Sequence, residues 1–387
     1  MRDAARNKHE VDFNERPFIA IWEATQACDL ACVHCRASAQ PLRSSFELST
    51  AEAQRLIEQI AAMQVPVFVI TGGDPLKRSD IFDLVEYATA RGVRTSLTPS
   101  ATPLLTCDAI AELRRRGLAR LAVSLDGSTA EIHDAFRRVA GSYEWTLRAI
   151  GWARELGLPV QINTTITRRN LADFDGTVRL LETLDIAMWS VFFLVPTGRG
   201  QLDDLISAEE FETVFAKLYQ VARRLPFDIK TTEAQHYRRY VLQMRAAARK
   251  SQESSNSSTV LPMAGIPNKF AMEKDTDGIG RAPRGLNDGK GFIFISHLGE
   301  IFPSGFLPVS AGNVRRQTLA EIYQHSPLFV SLRDTSRLQG KCGVCEFRNV
   351  CGGSRARAFA LTGDPFAEEP RCVYEPRVAA ATPCNTE

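Results

Sequence analysis

Three cysteines close to the amino terminus constrain this chain more than any other feature of its sequence. Cys28, Cys32 and Cys35 are separated by three and by two residues, and they follow an apolar run, residues 18–23, that is typical of a strand. Three thiolates on one loop can ligate three irons of a cubane 4Fe–4S cluster, which normally takes four cysteine ligands. The spacing therefore predicts a cluster with one iron left open to a ligand that is not a protein side chain.

The composition is that of an ordinary globular protein. The chain has 387 residues, 44% of them hydrophobic and 24% charged, which is enough for one large domain and one smaller domain. A net charge of +2 gives no electrostatic reason to expect a nucleic-acid or membrane partner. Residues 1–15 lack the apolar core of a signal peptide, and no later stretch is long enough to span a bilayer. We expect a cytoplasmic protein whose nine cysteines serve mainly as metal ligands rather than disulfides.

Strand and helix patterns alternate after the cysteine loop. Short apolar runs such as residues 65–70 are typical of strands buried on both faces. Capping-box sequences predict helix starts at Ser49, Ser128 and Ser207. Six or seven such strand–helix units are fewer than the eight of a closed TIM barrel. The pattern predicts an α/β fold, a partial (β/α)6-type TIM barrel, with its site at the carboxyl ends of the strands.

The composition changes near residue 251. Residues 251–290 are rich in Ser, Gly, Pro and charge and show no periodicity, so we predict a linker there. Two short apolar runs then flank Leu298 and Gly299, as in a hairpin. We predict three regions: a partial barrel at 16–231, a helix with a flexible linker at 232–290, and a small iron–sulfur domain at 291–376.

A second group of cysteines lies near the carboxyl terminus, at Cys342, Cys345, Cys351 and Cys372. Four thiolates form a closed ligand set for one 4Fe–4S cluster or for one zinc ion, and the spacing alone allows both. The remaining two cysteines carry no such pattern. We expect Cys107 to be a small buried residue at a helix start and Cys384 to lie in a loose tail.

Two glycines and an acid follow the second predicted strand. Gly72 and Gly73 allow the backbone to approach a ligand closely, and the Asp74 carboxylate can hold an ammonium group. The same residues also form an ordinary turn in many proteins. Their position one strand after the cysteine loop favours a ligand site.

The cysteine loop resembles the signature of the radical S-adenosylmethionine (SAM) superfamily. The resemblance implies that Cys28, Cys32 and Cys35 hold a 4Fe–4S cluster whose open iron is chelated by the amino and carboxylate groups of SAM. It also implies that an electron, supplied by a donor such as flavodoxin or ferredoxin, splits SAM to methionine and a 5′-deoxyadenosyl radical. That radical takes a hydrogen from the substrate. His34 stands where the family usually has an aromatic residue.

The same resemblance implies SAM-binding roles for six residues: Gly72, Gly73, Asp74, Ser100, Ser124 and Arg137. The two glycines and Asp74 resemble the family's Gly-Gly-Glu motif, which binds the SAM amino group. Ser100 replaces an Asn that lies near the ribose, and Ser124 resembles a serine near the SAM carboxylate. Arg137 can pair with that carboxylate, or it can lie on a solvated surface.

The carboxyl-terminal cysteines resemble the SPASM domain, which usually holds two auxiliary clusters. Ser304 and Arg355 stand at two positions where that family has cysteines. One auxiliary cluster has therefore lost its thiolates, and the other keeps all four. The resemblance implies two 4Fe–4S clusters, or about eight irons per chain.

Three segments, residues 192–200, 311–314 and 361–372, are most similar to the radical SAM enzymes of alternative heme and heme-d biosynthesis. The maturases of mycofactocin and pyrroloquinoline quinone are more distantly similar. This likeness implies an oxidoreductase that acts on a heme-related tetrapyrrole. The alternatives are a maturase of a ribosomally made peptide, a non-catalytic iron–sulfur electron carrier, and an enzyme whose second cysteine group binds zinc. The electron carrier is disfavoured because it needs no open iron.

Overall fold

The computed structural model describes residues 11–255 and 285–377. Ten strands make up one sheet: β1 Ile19–Glu23, β2 Val67–Thr71, β3 Thr95–Leu97, β4 Arg120–Ser124, β5 Val160–Ile166, β6 Met188–Phe193, β7 Asp228–Thr232, β8 Phe292–Ile295, β9 Glu300–Phe302 and β10 Gly312–Asn313. The helices are α1 Thr50–Ala62, α2 Ile81–Ala90, α3 Cys107–Arg115, α4 Ala130–Arg137, α5 Ser142–Glu155, α6 Phe174–Leu181, α7 Ala208–Arg224, α8 Tyr237–Ser255, α9 Leu319–His325, α10 Pro327–Arg333, α11 Gly340–Val344 and α12 Arg355–Thr362. Short 3-10 helices occur at Pro75–Lys77, Leu171–Asp173, Leu202–Asp204 and Thr335–Arg337.

Strands β1 to β7 lie side by side in chain order, and every neighbouring pair is parallel. At least one helix connects each strand to the next, as parallel crossovers require. Side chains from β1 through β8 line one central cavity, so the sheet curls around it. The predicted α/β fold with a partial TIM barrel is confirmed.

The predicted hairpin around Leu298 and Gly299 is also present, and it belongs to the same sheet. Strand β8 pairs in parallel with β1, with Phe292 opposite Ile19, and it pairs antiparallel with β9. The carboxyl-terminal part of the chain thus continues the barrel sheet through β8, β9 and β10. The proposed boundaries at residues 231 and 291 stay predictions.

Two local predictions need correction. Ser49 and Ser207 form capping boxes as expected, but the N-cap of α4 is Thr129 rather than Ser128, and the Thr129 hydroxyl accepts from the Ile132 N–H. Ser128 instead donates to Asp173 at 2.6 Å, so its hydroxyl ties two crossovers together. Helix α8 continues through Ser255, past the predicted start of the linker. Residues 256–284 of that linker and Cys384 lie outside the described residues.

The outer face of the barrel is sealed by aromatic packing. Phe211 and Phe215 of α7 contact Phe193 of β6, with ring centroids 4.6 and 5.6 Å apart, and all three are buried. Burial of large apolar side chains on this face fixes the helices to the sheet. The loops at the carboxyl ends of the strands remain available to form a site.

In the described part of the chain, no helix combines the length and apolar character needed to cross a membrane.

Candidate active site

A cavity of about 390 Å³ occupies the barrel and reaches the loops at the carboxyl ends of its strands. Its wall includes eight of the residues selected from the sequence: Cys28, Cys32, Cys35, Gly72, Gly73, Ser100, Ser124 and Arg137. These residues come from four separate crossovers, and the fold brings them to one space. Asp74 is not among the lining residues.

The cysteine loop is held at both ends and along its middle by backbone hydrogen bonds. The Cys28 N–H donates to the carbonyl of Gln40 at 2.8 Å, which closes the loop on itself. The Val33 N–H donates to the Phe136 carbonyl at 3.0 Å, at the carboxyl end of α4. Cys28 and Cys32 are buried, and Cys35 is half-buried. The loop is therefore shaped before any ligand binds.

The segment after β6 clamps the far side of this loop. The Arg199 backbone N–H donates to the Cys35 carbonyl, and its Nε donates to the Cys32 carbonyl, both at 2.9 Å. Gly198 has a φ of +59°, and a Cβ there would stand 2.3 Å from the Arg36 carbonyl oxygen. Sequence reasoning did not assign Arg199 this role. The available signal was a Gly-Arg-Gly turn directly after a buried strand.

Gly72 and Gly73 pack against the backbone of the cysteine loop. A Cβ on Gly72 would lie 2.5 Å from the Thr25 carbonyl oxygen, and one on Gly73 would lie 2.4 Å from that of Ala27. The Gly73 N–H donates to the Thr25 carbonyl at 2.7 Å. No side chain fits into this contact. The two glycines therefore approach the backbone of the loop that carries the cysteines. Their expected close approach to a ligand stays a prediction.

The Asp74 carboxylate is directed into the protein. It accepts from the Leu76 N–H at 3.1 Å and from the Thr102 hydroxyl at 3.0 Å, and the residue is completely buried. Burial raises the pKa of Asp74 to about 6. These contacts fix the turn that follows the two glycines. Binding of the SAM amino group by Asp74 stays a prediction.

Ser100 joins the glycine turn to the first cysteine. Its hydroxyl donates to the Gly73 carbonyl at 2.9 Å and lies 3.2 Å from the Cys28 sulfur. Burial raises the pKa of the Cys28 thiol, and the contact with Ser100 lowers it by less. Metal binding removes the thiol proton, so the Ser100 hydroxyl would have to turn away from the Gly73 carbonyl to donate to a cluster-bound thiolate.

Arg137 is buried, so the alternative of a solvated surface position is wrong. Its guanidinium forms an ion pair with Asp126, and Nη1 lies 3.5 Å from the Cys32 sulfur. Asp126 also accepts from the Thr165 N–H at 2.7 Å, which fixes the pair to strand β5. Arg137 thus places a positive charge beside the cysteine loop and on the wall of the cavity.

A buried charge network connects the cysteine loop to the carboxyl-terminal hairpin. Glu23, the last residue of β1, accepts from Arg36 at 3.0 Å and contacts His297 Nδ1 at 2.9 Å. Burial raises the pKa of Glu23, but Arg36 and His297 outweigh that effect and the net pKa is lowered. The Arg36 guanidinium also lies 4.2 Å from the centre of the Phe294 ring of β8. The hairpin and the loop are therefore positioned together.

The four carboxyl-terminal cysteines line a second, smaller cavity: Cys342, Cys345, Cys351 and Cys372. Backbone N–H groups approach three of the sulfurs, those of Cys342, Cys345 and Cys351, at 3.3 to 3.4 Å. Such N–H···S contacts stabilise thiolate ligands and tune iron–sulfur clusters. The residues present therefore fit a four-thiolate cluster. Among residues 11–255 and 285–377, no three His, Cys, Asp or Glu side chains form a site for a single metal ion.

His236 and Arg239 line the same small cavity from helix α8 and the turn before it. Apart from a weak interaction with the Arg371 backbone, both ring nitrogens of His236 are buried without a hydrogen-bond partner. The Nε of Arg239 is likewise buried and unpartnered. Buried polar atoms without partners are costly, so a bound group that accepts hydrogen bonds would suit this wall.

The two positions where the SPASM pattern lacks cysteines are filled by hydrogen-bonded side chains. Arg355 donates to the Ala367 carbonyl at 2.7 Å and lies 4.0 Å from the Cys342 sulfur. Ser304 is buried and lies 3.5 Å from a carboxylate oxygen of Glu233. Burial raises the pKa of Glu233 well above its usual value, and nearby Asp288 adds to that shift. The presence of one auxiliary cluster rather than two stays a prediction.

Comparisons with known proteins agree with this geometry. The family model of the radical SAM superfamily matches residues 22–181. The AdoMet-dependent heme synthase of Methanosarcina barkeri is 40% identical over 93% of this chain and 97% of its own length. That of Oleidesulfovibrio alaskensis is 42% identical over 93% of this chain and 88% of its own length. The structure of Streptococcus suis SuiB bound to precursor peptide SuiA superimposes with a TM-score of 0.69 at 16% identity, covering 93% of this chain and 76% of SuiB.

The cysteine loop, the glycine turn and the partial barrel therefore define an iron–sulfur enzyme that uses SAM. The chain belongs to the radical SAM superfamily. The resemblance noted from the sequence is confirmed, and so is the 4Fe–4S and SAM chemistry that this superfamily implies.

Gly73→Ala tests the contact between the glycine turn and the cysteine loop. The new Cβ would stand 2.4 Å from the Ala27 carbonyl oxygen, so the loop must shift and its cysteines must separate. We expect the variant to lose about four irons per chain after anaerobic reconstitution, together with SAM cleavage. Gly151→Ala is the control, because Gly151 lies in α5 with no atom within 4 Å of its Cβ position. Full iron content and cleavage in Gly73→Ala would contradict the account.

The buried Asp74 carboxyl predicts a pH dependence of stability. Its pKa is about 6 in the folded protein and lower in the unfolded chain, so the folded state binds more protons between those values. The free energy of unfolding should therefore fall as the pH rises through this range, by about 2 kcal/mol between pH 4.5 and pH 7. Urea unfolding of metal-free protein measures this change. Asp74→Asn should lack this component, and an unchanged pH profile in that variant would contradict it.

Proposed function

We propose that this radical SAM enzyme acts in heme biosynthesis and oxidatively modifies a heme-related tetrapyrrole. The observation that carries the proposal is the 40% identity, over nearly the whole of both chains, to a relative named AdoMet-dependent heme synthase. The catalytic cysteines in this proposal are Cys28, Cys32 and Cys35, which line the barrel cavity. A cytoplasmic location and an electron donor such as flavodoxin or ferredoxin are parts of the same proposal.

Cys28, Cys32 and Cys35 would hold a 4Fe–4S cluster, which would supply the electron for cleavage of SAM to methionine and a 5′-deoxyadenosyl radical. The chain's own residues hold this chemistry in place. The Arg199 clamp and the glycine turn fix the loop from two sides, and burial of Cys28 and Cys32 limits access of water. Arg137 adds a positive charge that attracts the carboxylate of SAM.

The SAM-binding residues divide into two kinds. In this proposal Gly72, Gly73, Ser100 and Ser124 contact SAM directly, because all four line the cavity beside the cysteines. Asp74 supports them by holding the turn through Leu76 and Thr102. A direct contact between its carboxylate and the SAM ammonium requires the buried Asp74 side chain to become accessible, since Asp74 does not line the cavity.

We further propose that Cys342, Cys345, Cys351 and Cys372 would hold one auxiliary 4Fe–4S cluster, which would accept an electron from the substrate radical or relay it. Support comes from their shared cavity and from the N–H groups that approach their sulfurs. Arg239, on the same wall, is itself buried, forms an ion pair with the half-buried Glu212, and keeps a positive charge at this site. Such a charge favours an anionic thiolate cluster over neutral thiols.

The function is tested with protein that is reconstituted without oxygen. Iron and zinc are counted, and SAM, dithionite and iron porphyrins that carry two to four propionate side chains are added. We expect about eight irons, formation of 5′-deoxyadenosine, and a change in the mass of one porphyrin. Cleavage of SAM without conversion of any porphyrin would reject the tetrapyrrole and leave a peptide substrate. About four irons with one zinc would reject the auxiliary cluster.

The two groups of cysteines should separate in mutants. Cys28→Ala should abolish SAM cleavage, because the loop can no longer hold a cluster with an open iron. Cys342→Ala should keep part of the cleavage but lose the modified porphyrin, with about four irons remaining. Cys107→Ala is the matched control, since Cys107 lies at the start of α3 in neither group. Equal loss of cleavage in Cys28→Ala and Cys342→Ala would contradict the division of roles.

A further inference from the structure

The wall of the barrel cavity carries several positively charged side chains. Among the described residues, five cationic side chains line it: Arg36, Arg94, Arg120, Arg137 and Lys230. No Asp or Glu of the described chain belongs to that lining. Arg36 and Arg137 lie beside the cysteine loop, where they face Glu23 and Asp126. Arg94 directly precedes β3, Arg120 is the first residue of β4, and Lys230 lies within β7.

The strands divide this cavity into two unlike walls. On β8, β1 and β2, every lining side chain except Thr71 is apolar. The apolar ones are Phe292, Phe294, Ile19, Ile21, Val67 and Val69. On β4 to β7 most of them can form hydrogen bonds, as Arg120 and Gln161 do with each other at 3.3 Å. A ligand that fills the cavity must therefore present an apolar face to one wall and polar groups to the other.

One row of the polar wall is in register across three strands. Asn163 of β5 pairs with Ser190 of β6, and Ser190 pairs with Lys230 of β7. All three line the cavity, and neighbouring strands lie about 4.8 Å apart, so their side chains are adjacent. The row begins at Asn163, which pairs with Ser124 of the neighbouring strand β4. It thus runs from the predicted SAM site into the barrel.

Ser190 is the residue in this row that points to a ligand. It is 1% exposed, and its hydroxyl is buried without a hydrogen-bond partner. A hydroxyl in that position is costly unless something binds it. The Asn163 carbonyl oxygen already accepts from Gln161 at 2.8 Å, so the side-chain amide N–H groups are what Asn163 can offer. An amide, a hydroxyl and an ammonium group in a row form a donor set that matches a carboxylate.

We infer that Asn163, Ser190 and Lys230 bind a carboxylate side chain of the substrate, whose flat apolar body lies against β8, β1 and β2. This inference rests on the proposed function and adds the position and orientation of the substrate. A porphyrin with propionate side chains has this combination of apolar face and anionic edge. The row starts at Asn163, next to Ser124, so the bound carboxylate edge lies one strand away from the predicted SAM-binding residues.

The test measures binding rather than turnover. The probe is metal-free coproporphyrin III, a fluorescent porphyrin with four carboxylates, added to anaerobically reconstituted protein with its tetramethyl ester as the uncharged comparison. Lys230→Met should weaken binding of the acid at least tenfold, and Ser190→Ala about threefold to tenfold. Neither should change binding of the ester. Lys230→Arg keeps the charge and should restore most of the affinity, which a merely structural role of Lys230 would not predict.

Met188→Leu is the control for packing, because Met188 lies on β6 one lining position from Ser190 and the change removes no N–H or O–H donor. Iron content and melting temperature of each variant are measured alongside. Equal affinity of wild type and variants for the acid would overturn the inference while leaving the proposed function intact. So would a loss of SAM affinity as large as the loss for the porphyrin. If wild type cleaves SAM but binds neither porphyrin, the proposed function itself fails.

Discussion

The contact between two glycines and the backbone of the cysteine loop is the constraint on which the site depends. Gly72 and Gly73 directly follow strand β2 and lie so close to Thr25 and Ala27 that no side chain fits between them. This contact extends the pairing of β1 with β2 beyond the strands and holds the loop over the cavity. The rigid sheet thereby determines where the three thiolates lie. The Arg199 clamp acts on the same loop from the opposite side.

The barrel and the carboxyl-terminal part of the chain work as one structure. Strand β8 completes the apolar wall of the cavity and pairs with β1, which leads directly into the cysteine loop. Glu23 connects that loop to His297 in the hairpin beyond β8. A substrate held between the apolar wall and the polar row would therefore contact elements that are rigidly joined to the cysteines. Such an arrangement fixes the distance between substrate and radical source.

Much of this could be predicted from the sequence, because the signals were local. The spacing of Cys28, Cys32 and Cys35 indicated an open iron, and strand–helix alternation indicated a partial barrel. The roles of the glycines and of Asp74 were harder, since they depend on which backbone lies opposite. The row at Ser190 depends on strand register, which no local pattern in these short parallel strands reveals. The sequence left open whether Arg137 was buried or solvated, because its burial depends on how α4 packs against the rest of the barrel.

The central claim is that the loop of three cysteines, and not the group of four, leaves one iron open to SAM. Electron–nuclear double resonance of the reduced protein, with SAM carrying an ¹⁵N-labelled amino group, measures this most directly. We predict a nitrogen coupling in the wild type that persists in Cys342→Ala and disappears in Cys28→Ala. A coupling that survives Cys28→Ala and is lost in Cys342→Ala would contradict it.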